Sequence, residues 1–211
     1  MMSYTANYTD EFGNTRVVSI TNADSLEALK NDYNEIMRKY NPKYVTIERV
    51  QAVTGQALHL KVTVMAPSHF LTSTDDTSPK PCKSMQAHII CNPGYPLEKV
   101  SAYYSKNHYL ASPNVFRGGG ACIDHWIPFT SSLTTVVDKL VRDMIHDPCV
   151  TRYDSMANSS VSAWHKKGVE EGRFPTIDPK LLYAPEAPRL PSRRTISKPI
   201  QTPPPLPGRR H

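Results

Sequence analysis

The stretch S-P-N-V-F-R-G-G-G-A-C-I-D-H-W-I-P, residues 112–128, sets the reading of the whole chain. One cysteine, Cys122, follows Gly118, Gly119 and Gly120 and stands ten residues beyond Ser112 of an S-P-N tripeptide. Three glycines in a row let a backbone turn tightly and approach its neighbours where a side chain would forbid it. Pro113 and Pro128 fix their own φ and push the residues before them toward extended conformations. Almost no regular secondary structure can run through such a segment. It is a loop that holds a thiol on a constrained backbone. Spacing alone leaves two roles open for Cys122: a buried structural cysteine in a glycine turn, or a reactive thiol.

Outward from this loop toward the C-terminus, Ser131 or Ser132 can cap a helix running to Ile145. Its Leu133, Val136, Val137, Leu140, Val141, Met144 and Ile145 form an apolar stripe broad enough to be buried against a sheet. Asp147-Pro148 stops it. Asn158 can cap a short helix bearing Val161 and Trp164 and ending at Gly168.

Toward the N-terminus the hydrophobic period is two. Val45, Ile47, Val50 and Val53 mark one strand, L-H-L-K-V-T-V at 58–64 alternates as a second, and Gly55 between them indicates a hairpin. Residues 72–81 are polar and proline-bearing, which predicts a loop. Two further strands follow at 85–91 and 100–104, separated by N-P-G-Y-P. The connections are too short for helical crossovers, so the four strands form an antiparallel meander. His88 reads as a packed or surface strand residue rather than a ligand. Before the strands, Asp24 with Glu27 makes a capping box. Leu26, Leu29, Tyr33, Ile36, Met37 and Tyr40 then recur at helical spacing up to Pro42. Lys30, Arg38 and Lys39 on the remaining surface are either solvated or a basic face for a partner.

The predicted organisation is an N-terminal extension at 1–23, a packed domain at 24–174, and a proline-rich basic tail at 175–211. In the extension Val17, Val18 and Ile20 offer at most a brief strand. The tail ends T-P-P-P-L-P-G-R-R-H. From Glu186 onward six basic residues face one acidic one, so most of the net charge of +6 lies there. The remainder is close to neutral, which argues against a specific nucleic-acid face. Cys82, Cys91, Cys122 and Cys149 form no C-x-x-C pair, and no secretion segment precedes them. Reduced cysteines in a cytoplasmic protein are expected, with no metal and no cofactor. No apolar run approaches the roughly 18 residues that would suggest a membrane span.

The order helix, four-stranded meander, thiol loop, helix, loop, helix resembles that of the ubiquitin-conjugating enzymes, over roughly residues 24 to 170. The family's F-P-x-x-Y-P is matched by Cys91-Asn-Pro-Gly-Tyr95-Pro96, and its H-P-N by Ser112-Pro113-Asn114 at the usual spacing from the cysteine. Its C-L-D is matched by Cys122-Ile123-Asp124, its W-x-P by Trp126-Ile127-Pro128, and its D-P by Asp147-Pro148. An N-x-x-A-x-x-Y helix is echoed by Asn158, Val161 and Trp164. Three departures stand out. Ser112 replaces the histidine, the segment from cysteine to tryptophan is shorter, and the loop from Pro148 to Asn158 is longer. They imply a divergent member, of a kind a bacterium would use with a ubiquitin-like protein.

The resemblance implies an α+β fold and a conjugating activity. Cys122 would take ubiquitin or a ubiquitin-like protein from an activating enzyme as a thioester and pass it to an amine on a target protein, with a ligase where one is required. A thiol suits both steps, being a good nucleophile and, as thiolate, a good leaving group. Asn114 would donate to the oxyanion, or cap its own turn. Asp154 would orient the incoming lysine, or be a solvated loop residue; Asp124 is the weaker stand-in. A hydrolase reading would need His125 or His108 as base, and no oxyanion motif or orienting third residue accompanies them. The alternative from another class is a non-catalytic module of the same fold that binds the ubiquitin-like protein without accepting it.

Overall fold

The computed structural model describes residues 3–9, 15–52, 56–73, 76–116, 118–123, 130–154 and 156–185. Asp124, His125, the W-I-P tripeptide, Gly55 and the tail from Glu186 lie outside the described residues. A hairpin opens the chain, with β1 (Ser3–Thr9) antiparallel to β2 (Thr15–Thr21) from Ser3↔Thr21 to Thr9↔Thr15. The sequence shows it poorly because the apolar Val17 shares the solvent face with Ser19 while Ile20 is buried, so residue polarity does not follow the two faces.

Helix α1 (Asn22–Lys39) starts from a capping box three residues earlier than predicted. Thr21 Oγ1 accepts from the Asp24 amide at 3.2 Å, and the Asp24 carboxylate accepts from the Thr21 amide at 2.9 Å. Asp24 is therefore the third helical residue rather than the cap, and Glu27 has no part in the box. The Thr21 amide and the Thr21 hydroxyl, both donating to it, hold the Asp24 carboxyl below its ordinary range.

The main sheet is the predicted meander. β3 (Val45–Val50), β4 (Leu58–Val64), β7 (Met85–Cys91) and β8 (Ser101–Tyr104) lie in the order β3-β4-β7-β8, every pair antiparallel. Leu58, Leu60, Val62 and Val64 alternate inward beside Met85, Ala87, Ile89 and Cys91. Helix α2 (Leu133–Asp143), capped by Ser132, buries Leu133, Val136, Val137, Leu140 and Val141 in the same core. Fully burying a side chain of this size contributes about 1.5–3 kcal/mol. The second helix is thus held by its apolar stripe.

Three features depart from the sequence reading. A second sheet of β5 (Ser68–Leu71), β6 (Lys80–Cys82) and β9 (Tyr109–Leu110) stands in the order β6-β5-β9, and β6 takes residues 80 and 81 of the predicted 72–81 loop. Pro81 is tolerated because β6 is an edge strand. Helix α3 (Ser162–Glu170) is not capped by Asn158, whose Oδ1 instead accepts from the Ser160 amide at 3.1 Å in the turn before it. Nor does Gly168 stop that helix. Gly172, at φ +69°, does so.

The packed chain also continues past residue 174. Leu182 is fully buried, its carbonyl accepts from the Asn41 amide at 2.9 Å, and the Ala184 amide donates to the Lys39 carbonyl at 2.9 Å. Tyr183 stacks on Tyr40, with ring centroids 5.8 Å apart. No helix among the described residues is long and apolar enough to cross a membrane.

Candidate active site

The S-P-N tripeptide forms a tight turn at the end of β9. The Val115 amide donates to the Ser112 carbonyl at 3.2 Å, and the Asn114 amide donates to Ser112 Oγ at 3.1 Å. The glycine run then folds the chain back on itself. Phe116 donates to the Gly120 carbonyl at 2.8 Å, Gly119 donates to the Phe116 carbonyl at 3.0 Å, and Val115 bridges Ala121. Gly118 and Gly119 hold φ of +98° and +87°, a region side chains disfavour. Gly119 is constrained twice, since a Cβ there would also strike the Tyr109 ring. The returning strand lies along β8, where Tyr104 donates to the Gly119 carbonyl at 2.8 Å and Ala121 donates to the Ala102 carbonyl at 2.9 Å.

Cys122 comes next, and its amide donates to the Asn114 carbonyl at 2.7 Å. Its side chain is half-buried and carries no disulfide. The spacing between the S-P-N turn and the thiol is therefore the length of one closed loop. The turn fixes where the cysteine begins.

Asn114 is buried, and its side chain has three partners. Nδ2 donates to Asp143 Oδ1 at 3.0 Å and to the Val150 carbonyl at 3.1 Å, while Oδ1 accepts from the Arg152 amide at 3.4 Å. Both amide protons are engaged in the framework. Asp143, at the end of α2, also accepts from Ser112 Oγ at 2.7 Å. Burial pushes the Asp143 carboxyl up to about 6, against the opposing pull of the Ser112 and Asn114 hydrogen bonds.

Asp154 is exposed in the loop between α2 and α3, with Arg152 Nη2 3.5 Å from its Oδ2. That loop is pinned to the same turn, because the Ala157 and Asn158 amides donate to the Pro113 carbonyl at 2.9 and 3.0 Å. Tyr153, between Arg152 and Asp154, places its hydroxyl 2.6 Å from His165 Nδ1 on α3. Cys122, Asn114 and the Asp154 loop thus share one hydrogen-bonded framework.

Other motif residues hold that framework. Tyr95 of N-P-G-Y-P is buried and bonds Asp32, and the Leu133 amide at the start of α2 donates to Tyr95 Oη at 2.9 Å and Asp32 Oδ2 at 3.0 Å. Asp147 of the D-P pair accepts from Arg142 Nε and from the Cys149 amide. His108 stacks on Phe70 at 4.1 Å, and no hydrogen bond among the described residues joins it to Cys122. No group of three or more His, Cys, Asp or Glu among the described residues could hold a metal ion.

Sequence reasoning missed Asp143. Its signal was a carboxylate three positions after Leu140, on the apolar face of α2. A charge there requires buried donors.

No protein-family model matches the chain, and no curated protein matches it. Among solved structures, S. cerevisiae Ubc12 is similar at a TM-score of 0.40 and 18% identity, over 57% of this chain and 60% of that one. Human ubiquitin-conjugating enzyme E2 G1 is similar at a TM-score of 0.41 and 20% identity, over 61% of this chain and 99% of that one. The chain therefore spans about three fifths of the length of the first.

Proposed function

We propose that the chain is a conjugating acyltransferase whose carrier is Cys122. The observation that carries this reading is the closed loop that presents a half-buried thiol from a backbone fixed by Asn114. In the first step the Cys122 thiolate attacks the thioester carbonyl that an activating enzyme holds with ubiquitin or a ubiquitin-like protein. A new C–S bond forms, and the activating enzyme's thiolate leaves. In the second step a target lysine amine attacks that carbonyl, loses a proton to solvent, and expels the Cys122 thiolate as the amide forms.

Asn114 serves the second step by exchanging the Val150 carbonyl for the oxyanion. The exchange is downhill once charge develops, because hydrogen bonds to an ionised acceptor are about twice as strong as neutral ones. Asp154, exposed and paired only loosely with Arg152, attracts the approaching lysine ammonium and orients it, and the ammonium gives a proton to solvent before its neutral amine attacks.

The test is a nonreducing gel after incubation with activating enzyme, ATP and the modifier. Wild type should give a reducible adduct, Cys122→Ser an adduct that survives reducing agent, and Cys122→Ala none. Asn114→Ala should still charge and should discharge to lysine more slowly, by a factor on the order of a hundred for one lost donor. Reducible charging of the alanine variant would move the chemistry to another cysteine. A second reading, a non-catalytic module that binds the modifier, draws on the engagement of both Asn114 amide protons. It predicts modifier binding with no adduct in any variant.

A further inference from the structure

Asp143 occupies a face of α2 that is otherwise apolar, and it is 2% exposed. A methyl-bearing side chain would fill that position without the cost of removing a carboxylate from water. What the carboxylate adds is acceptor capacity. Its Oδ1 takes the Ser112 hydroxyl and one Asn114 amide proton, and Ser112 Oγ in turn accepts the Asn114 backbone amide. The three residues close a ring, and the next hydrogen bond outward is the one from the Cys122 amide to the Asn114 carbonyl. Only Asn114 stands between the buried carboxylate and the backbone of the thiol.

We propose that Asp143 is a positioning residue for Cys122, holding the S-P-N turn through Ser112 and Asn114 so that the thiol loop keeps one geometry. Its importance to transfer rests on the reading of Cys122 as the acyl carrier. Its effect on the loop does not, which allows the two to be tested separately. Hydrogen bonds accepted by an ionised group are the stronger kind, so a carboxylate fixes this turn better than an apolar replacement would. The short Ser112 hydroxyl reaches Asp143 at 2.7 Å and leaves room for the Asn114 amide on the same oxygen.

The experiment is residue-resolved amide hydrogen exchange on the full chain at neutral pH, comparing wild type with Asp143→Ala and Asp143→Asn. Asp143→Ala should speed exchange at the Asn114 and Cys122 amides by about tenfold or more, while Val62 and Ile89 in the central strands stay near their wild-type rates. Asp143→Asn keeps an acceptor oxygen in place and should restore most of the Cys122 protection. Unchanged exchange at Cys122 in Asp143→Ala would overturn the proposal. So would an equal rise at Val62 and Ile89, which marks general loss of stability.

If Asp143→Ala does not fold, Ser112→Ala decides, since it removes one member of the ring. Faster exchange at Asn114 and Cys122 alone supports the proposal, and wild-type rates there overturn it. Thioester formation by the wild-type chain, measured on the same preparation, reports on the carrier reading independently. The exchange pattern without any thioester would retain Asp143 as the loop's anchor and remove the conjugating activity.

Discussion

Asp143 carries a thermodynamic cost that can be measured. Burial lifts its carboxyl from the ordinary 3.8 to about 6, against the Ser112 and Asn114 hydrogen bonds and the Lys139 charge, all of which favour the ionised form. Tyr104, whose buried hydroxyl lies near Asp143, is pushed upward by burial first and by that carboxylate second. Between about 4 and 6 the folded chain binds a proton that the unfolded chain has released, so this group's contribution to stability falls as pH rises through that window. A separation of about two pH units corresponds to roughly 3 kcal/mol at neutral pH. Asp143→Asn should therefore raise the urea midpoint at pH 7.

His165 runs the other way. Burial lowers it to about 4, so the unfolded chain takes up protons first and acid removes stability between its ordinary 6.5 and that value. Buried His146 shifts in the same direction, through burial and then its neighbours His165 and His69. In Asp143→Asn the offsetting carboxyl is gone, and melting temperature should fall more steeply from pH 7 to pH 5 than in wild type. A variant no more stable at pH 7, with an unchanged pH slope, would contradict this account.

Within single elements, local preference and packing disagree most clearly at Gly168. Alanine in a helix interior is favoured over glycine by about 1 kcal/mol. A Cβ at this position, however, would run into the Phe174 ring, and overpacking of a core costs about 1–3 kcal/mol. Gly168→Ala should lower the denaturant midpoint despite its better helix propensity, and a midpoint above wild type would show that Phe174 moves aside freely. The same contact explains why Gly168 read as a helix stop. A glycine near a helix end is a common C-terminal signal, and nothing in the neighbouring sequence reveals that an aromatic ring from beyond the helix needs the space. Helix α1 shows a milder case. Asp24 has the right chemistry for a cap, but Thr21 fits one turn-start earlier, and the choice between them depends on where β2 delivers the chain.

At the scale of the whole molecule, the segment after Phe174 belongs to the fold. Leu182 fills the core, Tyr183 Oη donates to Asp138 Oδ1 at 2.8 Å, and the Ala184 amide holds the end of α1. Ending the chain at Pro185 should leave the melting temperature near that of the full chain. Ending it at Phe174 should lower it by many degrees, since burial of one leucine alone is worth about 1.5–3 kcal/mol. Equal melting of the two truncations would show that the strap is dispensable. By itself the sequence determined the parts governed by period and by short-range chemistry. The two-residue alternation specified the four-stranded meander, the stripe from Leu133 to Ile145 specified a helix buried on it, and the glycines and prolines between Pro113 and Pro128 specified a loop that holds the thiol. Only the tertiary structure decided which long-range partners meet. It brought Asp143 beneath Asn114 and tied the Asp154 loop to Pro113. It also carried Leu182 back to the end of α1. Those contacts join residues far apart in the chain, where no periodic signal links one to another, and burial and geometry alone select them.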